Sequence, residues 1–181
     1  ANEYAPIVKK AGFGTFFVPQ SKIGDIEDLL YCFNWAANNT DIDYIGVSIL
    51  AIPNAYGVEK NNKLQRFLSR WKFMGELKKR GVLDIIQKNN KKLHFLGMVD
   101  GPNEIELVKD YLPLINTWDS SAAVWAGLNG IEFDNSPTGM IFGKFENEVD
   151  FEFTTENAKL IEIAINNMKC IDDMLEHYNE S

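Results

Sequence analysis

Apolar and polar positions follow one another along the chain in two rhythms. Short apolar runs occupy residues 13–19, bounded by Gly and Pro, 43–51 and 93–99, and a shorter stretch of the same kind, 115–118, ends at Asp119. Runs of that length and makeup predict strands buried on both faces, as in a parallel sheet. Between them the apolar residues recur three and four positions apart. Residues 21–39 place Ile23, Ile26, Leu29, Leu30, Phe33 and Ala37 on one stripe, and residues 64–87 carry a longer stripe of the same period. That second pattern is expected to break near Gly75 or Gly81, where glycine costs about 1 kcal/mol relative to alanine in a helix.

The remaining segments read more locally. Residues 4–11 look like the tail of a helix leading into the first strand. Asp100-Gly-Pro-Asn predicts a turn and helix start, with Glu104 and Glu106 favourable in the first turn of a helix to Leu112. After Trp125 the pattern changes. Residues 130–133 and 140–145 flank Asn135-Ser-Pro-Thr-Gly as a β-hairpin with a long turn, and residues 149–153 alternate apolar with acidic positions. Thr155 is placed to cap a final amphipathic helix over about 156–178.

Strands separated by helical stretches of roughly 10–30 residues imply βα units, a parallel sheet and the α/β class. Two layouts satisfy this: a doubly wound open sheet, or an arc of a (β/α)₈ barrel. A whole barrel takes roughly 200 residues or more, and the chain has 181. With its helix-tail beginning, the expectation is a single α/β domain over 1–181, TIM-barrel-like and corresponding to the C-terminal part of a barrel, with a β-hairpin insertion and a C-terminal helix.

Composition narrows the function classes. With 45% apolar residues the chain can bury a core, and no run of 18 apolar residues exists to span a membrane. Cys32 and Cys170 are the only cysteines, which excludes a disulfide scaffold and a four-cysteine zinc site and suits a reducing cytoplasm. The formal charge of −8 conceals an asymmetry: residues 60–92 hold eleven basic side chains against Glu76 and Asp84. Such a segment reads either as a solvated helix face or as a nucleic-acid footprint carried by Arg66, Arg70, Lys72, Lys78, Lys79 and Arg80. Gly12-Phe-Gly14 precedes a strand and so is not a phosphate loop. His94 falls in a buried-strand pattern, far in sequence from His177. Neither a metal nor a cofactor is expected.

α/β proteins build their sites at the C-terminal ends of strands. The residues there are Gln20, Ser48 with the stretch to Ala51, Asp100 and Asp119. Asp119 stands between Trp118 and Trp125 and precedes Ser120, Ser121, Ala122 and Ala123. A carboxylate at such a strand end can act as nucleophile or general base. The same spacing also describes a turn that caps the following segment. Gln20 offers amide donors and an acceptor suited to a planar heterocycle edge.

The run from Lys92 through Gly97-Met-Val-Asp-Gly-Pro-Asn-Glu to Asn116-Thr-Trp-Asp119-Ser-Ser resembles the C-terminal part of the tRNA-guanine transglycosylase barrel. There a strand of the form "(R)-Y-L-M-G-V-G", a "P-E-D-L" helix start and a strand closing on "F-D" occur in that order. Phe16-Phe-Val-Pro-Gln20 is similar to that family's "V-Q-G" strand end, and Asp43-Tyr-Ile-Gly-Val-Ser48 to its "G-L-A-V-G" strand. The resemblance spans roughly residues 13–153 and extends to phage-type relatives, some of which insert 7-deazaguanine bases into DNA. It implies a TIM barrel that exchanges guanine for a deazaguanine through an aspartyl-glycosyl intermediate. Asp119 would match the nucleophile, Gln20 the reader of the base amide, and Gly46 the strand-end backbone near the base, with Ser48 and Asp100 at neighbouring strand ends. The family's zinc site has no counterpart here, its "D-C-V-x-P-T-R" reads Asp119-Ser-Ser-Ala-Ala-Val-Trp, and its second carboxylate would fall before Ala1. The alternative is a non-catalytic binding or inhibitor protein on a degenerate barrel scaffold, engaging a protein partner through its acidic surface at 146–156 and 172–180. A third role is a binder of a free nucleobase or nucleotide.

Overall fold

A computed structural model describes residues 3–98, 101–133 and 157–180. The chain is a mixed α/β protein with a four-stranded, wholly parallel sheet. Its strands are β1 (Phe16–Phe17), β2 (Tyr44–Ser48), β3 (Lys92–Leu96) and β4 (Ile115–Trp118), hydrogen-bonded in the order β1-β2-β3-β4. The helices are α1 (Ala5–Lys10), α2 (Ile26–Asn38), α3 (Ala51–Ala55), α4 (Lys63–Lys79), α5 (Val82–Lys88), α6 (Pro102–Val108), α7 (Ala122–Leu128) and α8 (Ala158–Glu180). The chain divides into two compact units. One holds the residues up to Leu96 together with Leu114–Trp118; the other holds Gly97–Pro113 and the residues from Asp119 onward.

The first unit is the sheet with α1 to α5. Successive side chains of a strand face opposite ways, and here Ile45, Val47, Leu93 and Phe95 are fully buried. The core they share includes Leu29, Phe33, Phe73, Met74 and Leu77. Phe33 meets Phe73 edge to face at 4.8 Å, joining α2 to α4. The other set of strand positions carries Gly46, His94 and Thr117, aligned across β2, β3 and β4. Between Leu93 and His94 the β3–β4 register slips by one residue. The extra residue, Asn116, turns its Oδ1 to accept from the Leu93 amide at 2.9 Å, replacing the lost ladder bond.

Local chemistry sets the element ends. The helix expected over 21–39 begins only at Ile26, because Gly24 adopts a left-handed φ of 77° and Asp25 caps the Asp28 amide at 3.0 Å. Ile23 is accordingly outside the stripe and exposed. The second strand stops at Ser48 rather than at residue 51. Ser48 Oγ accepts from the Leu50 and Ala51 amides at 3.2 and 3.1 Å and starts α3, whose Pro53 lies among the first residues, where no intrahelical donor is needed. The long helical pattern breaks at Gly81 (φ 70°), not at Gly75. Pro102 opens α6 as expected, while Asp100 lies outside the described residues.

The second unit is built on α7 against α8. A side chain on Gly127 would stand 2.3 Å from the Ala164 backbone, so these helices meet in near backbone contact. Asn167, 1% exposed, donates to the carbonyls of Ala123 (3.2 Å) and Ile131 (2.9 Å) and accepts from the Phe133 amide (2.6 Å). Of the expected hairpin, residues 131–133 form no strand and are held by Asn167; residues 134–145 lie outside the described residues, as do 149–153 and Thr155. The final helix is present as α8.

Candidate functional site

Parallel strands place all their C-terminal ends on one edge, and the residues there can be followed strand by strand. Gln20 lies three residues past β1 and is exposed. Gly46 is buried inside β2, where an added Cβ would stand 3.0 Å from both the Phe16 ring and Val18. Its lack of a side chain is thus used by neighbouring apolar groups. Ser48 ends β2 with its hydroxyl committed to the start of α3. These three belong to the first unit.

Asp119 follows Trp118 of β4 directly and begins a segment of the second unit. Its Oδ1 accepts from the Gly97 amide at 3.0 Å, and its side chain is exposed. Beside it, Ser120 Oγ donates to the Met98 carbonyl at 3.1 Å and accepts from the Ala122 amide at 2.9 Å. The residues after β4 are thereby tied to the residues after β3. The arrangement orients an accessible carboxylate through the Gly97 amide, which suits either a nucleophile or a turn.

The basic segment separates by helical phase. Lys72, Lys78 and Lys79 are exposed on α4. Arg80 is exposed but paired, with Glu27 at 2.5 Å and Glu76 at 3.7 Å, and the Glu27 hydrogen bond holds its guanidinium above the usual arginine range. Arg66 is half-buried. Arg70 is fully buried. Its Nη1 donates to the carbonyls of Val47 and Leu96, each at 3.3 Å, and its guanidinium lies over the rings of Phe95 at 4.9 Å and Trp118 at 5.9 Å. A surface phosphate contact therefore requires the exposed lysines; Arg70 instead joins the C-terminal ends of β2 and β3. Lys91 also turns inward, donating to the carbonyls of Asn39 and Ile42, and burial lowers its ammonium below the usual range.

Counting charges along the segment missed these roles. Arg70 falls three, four and seven residues from Phe67, Phe73, Met74 and Leu77, in the middle of the apolar stripe, and that phase was the available signal. Trp71, one residue on, is out of phase with the stripe and 43% exposed. His94 is half-buried and sits 2.8 Å from Thr117 Oγ1 through Nδ1, edge-on to Phe16.

No group of three or more metal-ligating side chains occurs among the described residues. No helix among them is long and apolar enough to cross a membrane. No family model, curated protein or solved structure matches the chain.

Proposed function

We propose that the protein is a base-exchanging transglycosylase acting on guanine or a 7-deazaguanine in nucleic acid, with Asp119 as covalent nucleophile. The observation that carries this reading is an exposed carboxylate immediately after a parallel strand, oriented by the Gly97 amide at 3.0 Å. A carboxylate held in place at a strand end is the group such a displacement needs. The strict β1-β2-β3-β4 order supports the finer reading of the sheet as an arc of a (β/α) barrel, since barrels add each strand beside the last.

In this reading the Asp119 carboxylate bonds to the sugar C1′ as the glycosidic C–N bond breaks. The electron pair leaves with the base, which takes up a proton. The incoming base then gives up its ring N–H proton and bonds to C1′, and the C1′–O bond to Asp119 breaks.

Asp119→Asn is expected to abolish both exchange of labelled guanine and the covalent protein–nucleic acid adduct, with an unchanged thermal transition. Unchanged exchange overturns the reading. If the wild type shows no exchange, and reversal of charge at the exposed Asp172, Asp173 and Glu176 of α8 releases a bound protein, the scaffold is a binding protein instead.

A further inference from the structure

The outward face of α4 pairs exposed lysines with a partly exposed indole. The inward arc of this helix is filled by Phe67, Phe73, Met74 and Leu77, all buried. On the outward arc, Leu64, Trp71 and Lys78 form one row at seven-residue spacing, and Gln65, Lys72 and Lys79 form the adjacent row. A seven-residue step advances about 10 Å along a helix. The residue one turn beyond Trp71 on the same face is Gly75, which has no side chain to lay over the ring. The Lys72 ammonium donates to the neutral carboxamide of Gln65 at 2.7 Å, so that contact leaves its charge uncancelled. Glu76, the acid on this arc, faces Arg80 at 3.7 Å.

We infer that this face binds single-stranded nucleic acid, with one base stacked on Trp71 and the backbone phosphates against Lys72, Lys78 and Lys79. This rests on the nucleic-acid part of the function proposed above and names the form of the substrate. Charge complementarity selects a polyanion on a protein whose overall charge is −8. The indole selects unpaired bases, because a duplex keeps its base faces stacked internally while a single strand offers them to an aromatic platform. An anionic membrane is a poorer match. The helix has committed its apolar arc to the protein core, leaving Leu64 and Trp71, with the half-buried Leu68 between them, as a small area to enter lipid.

The test is fluorescence anisotropy of a labelled 20-nucleotide oligothymidine, alone and as a duplex, against the full chain. Stacking contributes about 1–3 kcal/mol per base, so Trp71→Ala is expected to weaken single-strand binding roughly 5- to 150-fold. Trp71→Phe, which retains a ring, binds within a few-fold of the wild type. Lys72→Glu with Lys79→Glu weakens binding and flattens its salt dependence. Binding indifferent to Trp71→Ala, equal binding of single strand and duplex, or preferential capture by phosphatidylserine vesicles each overturns the inference. Asp119→Asn separates the two proposals. If it and the wild type bind the strand alike through Trp71 but neither exchanges a base, the catalytic reading falls and this one stands. If exchange is intact while binding ignores Trp71, this one falls alone.

Discussion

Each unit of the molecule contains a long polar side chain removed from water and bonded to main-chain carbonyls, but they are of different kinds. In the first, Arg70 reaches from α4 to the carbonyls of Val47 and Leu96 with its charge laid against two aromatic rings. In the second, Asn167 reaches from α8 to Ala123, Ile131 and Phe133. The asparagine is neutral and matches donors to acceptors and an acceptor to a donor. It fixes a loop at little cost in burial. The guanidinium brings a full charge into the interior, where carbonyl dipoles and π faces help offset its lost hydration. A packed hydrophobe could do the packing part of its work, but not the bridging of two strand ends. The contrast shows how far a charged run can depart from a solvated surface once one member falls in phase with the core.

Arg70→Met is the substitution expected to do the most damage. It keeps the length and apolar body but removes the donor shared by the Val47 and Leu96 carbonyls, and is expected to cost about 3 kcal/mol in urea denaturation. Hydrogen exchange should lose protection in β2 and β3 while α7 and α8 keep theirs. Arg70→Lys, a point charge without a planar fork, should recover only part of this. Asn167→Ala should cost about 2 kcal/mol, with the exchange pattern reversed: protection falls in α7 and α8 and survives in the sheet. Equal losses everywhere in either variant would show that the clamps do not act on their own units.

The smallest effect comes from a charge left at the surface of the first unit. Asp43 is held below the usual carboxylate range, first by the Lys9 ammonium at 2.8 Å and then by the Thr15 amide at 2.9 Å. A depressed carboxylate stabilises the fold above its unfolded pKa of about 3.9 and loses that contribution as pH falls through the lower folded value. Asp43→Asn should therefore cost about 1 kcal/mol or less at pH 7. The gap to the wild type should narrow below about pH 4. A gap that stays constant to pH 2 would mean the carboxylate charge contributes nothing.

β2 and β3 were legible because each is a compact apolar run buried in the sheet, and the final helix because its stripe is long and regular; β1 keeps only Phe16–Phe17 of its run, and β4, Ile-Asn-Thr-Trp, exposes its two middle residues. Their ends were not legible, since single hydrogen bonds set them: Ser48 and Asp25 each convert a continuing pattern into a cap. α3 hid in the apolar run after β2, which contains a proline. α7, Ala-Ala-Val-Trp-Ala-Gly-Leu, is apolar on every side and shows no contrast of period 3.6. At the candidate site, Asp119 was readable from its place after a strand, whereas its bond to Gly97 joins residues far apart in sequence. The six basic residues were readable as a group but not as individuals, because burial depends on helical phase and partner.

The order of the strands also bears on synthesis. Each strand of the sheet lies beside the one made just before it, so a chain growing from its N-terminus lays down every template ahead of the strand that will use it. β1, only two residues long, offers a small first template. β2 must then wait through three helices for β3, the longest excursion in the sheet. During that interval its edge is open, and the emerging α4 brings the arginine that will later span the two strand ends. The strands of the sheet therefore become available for pairing in the order in which they are written.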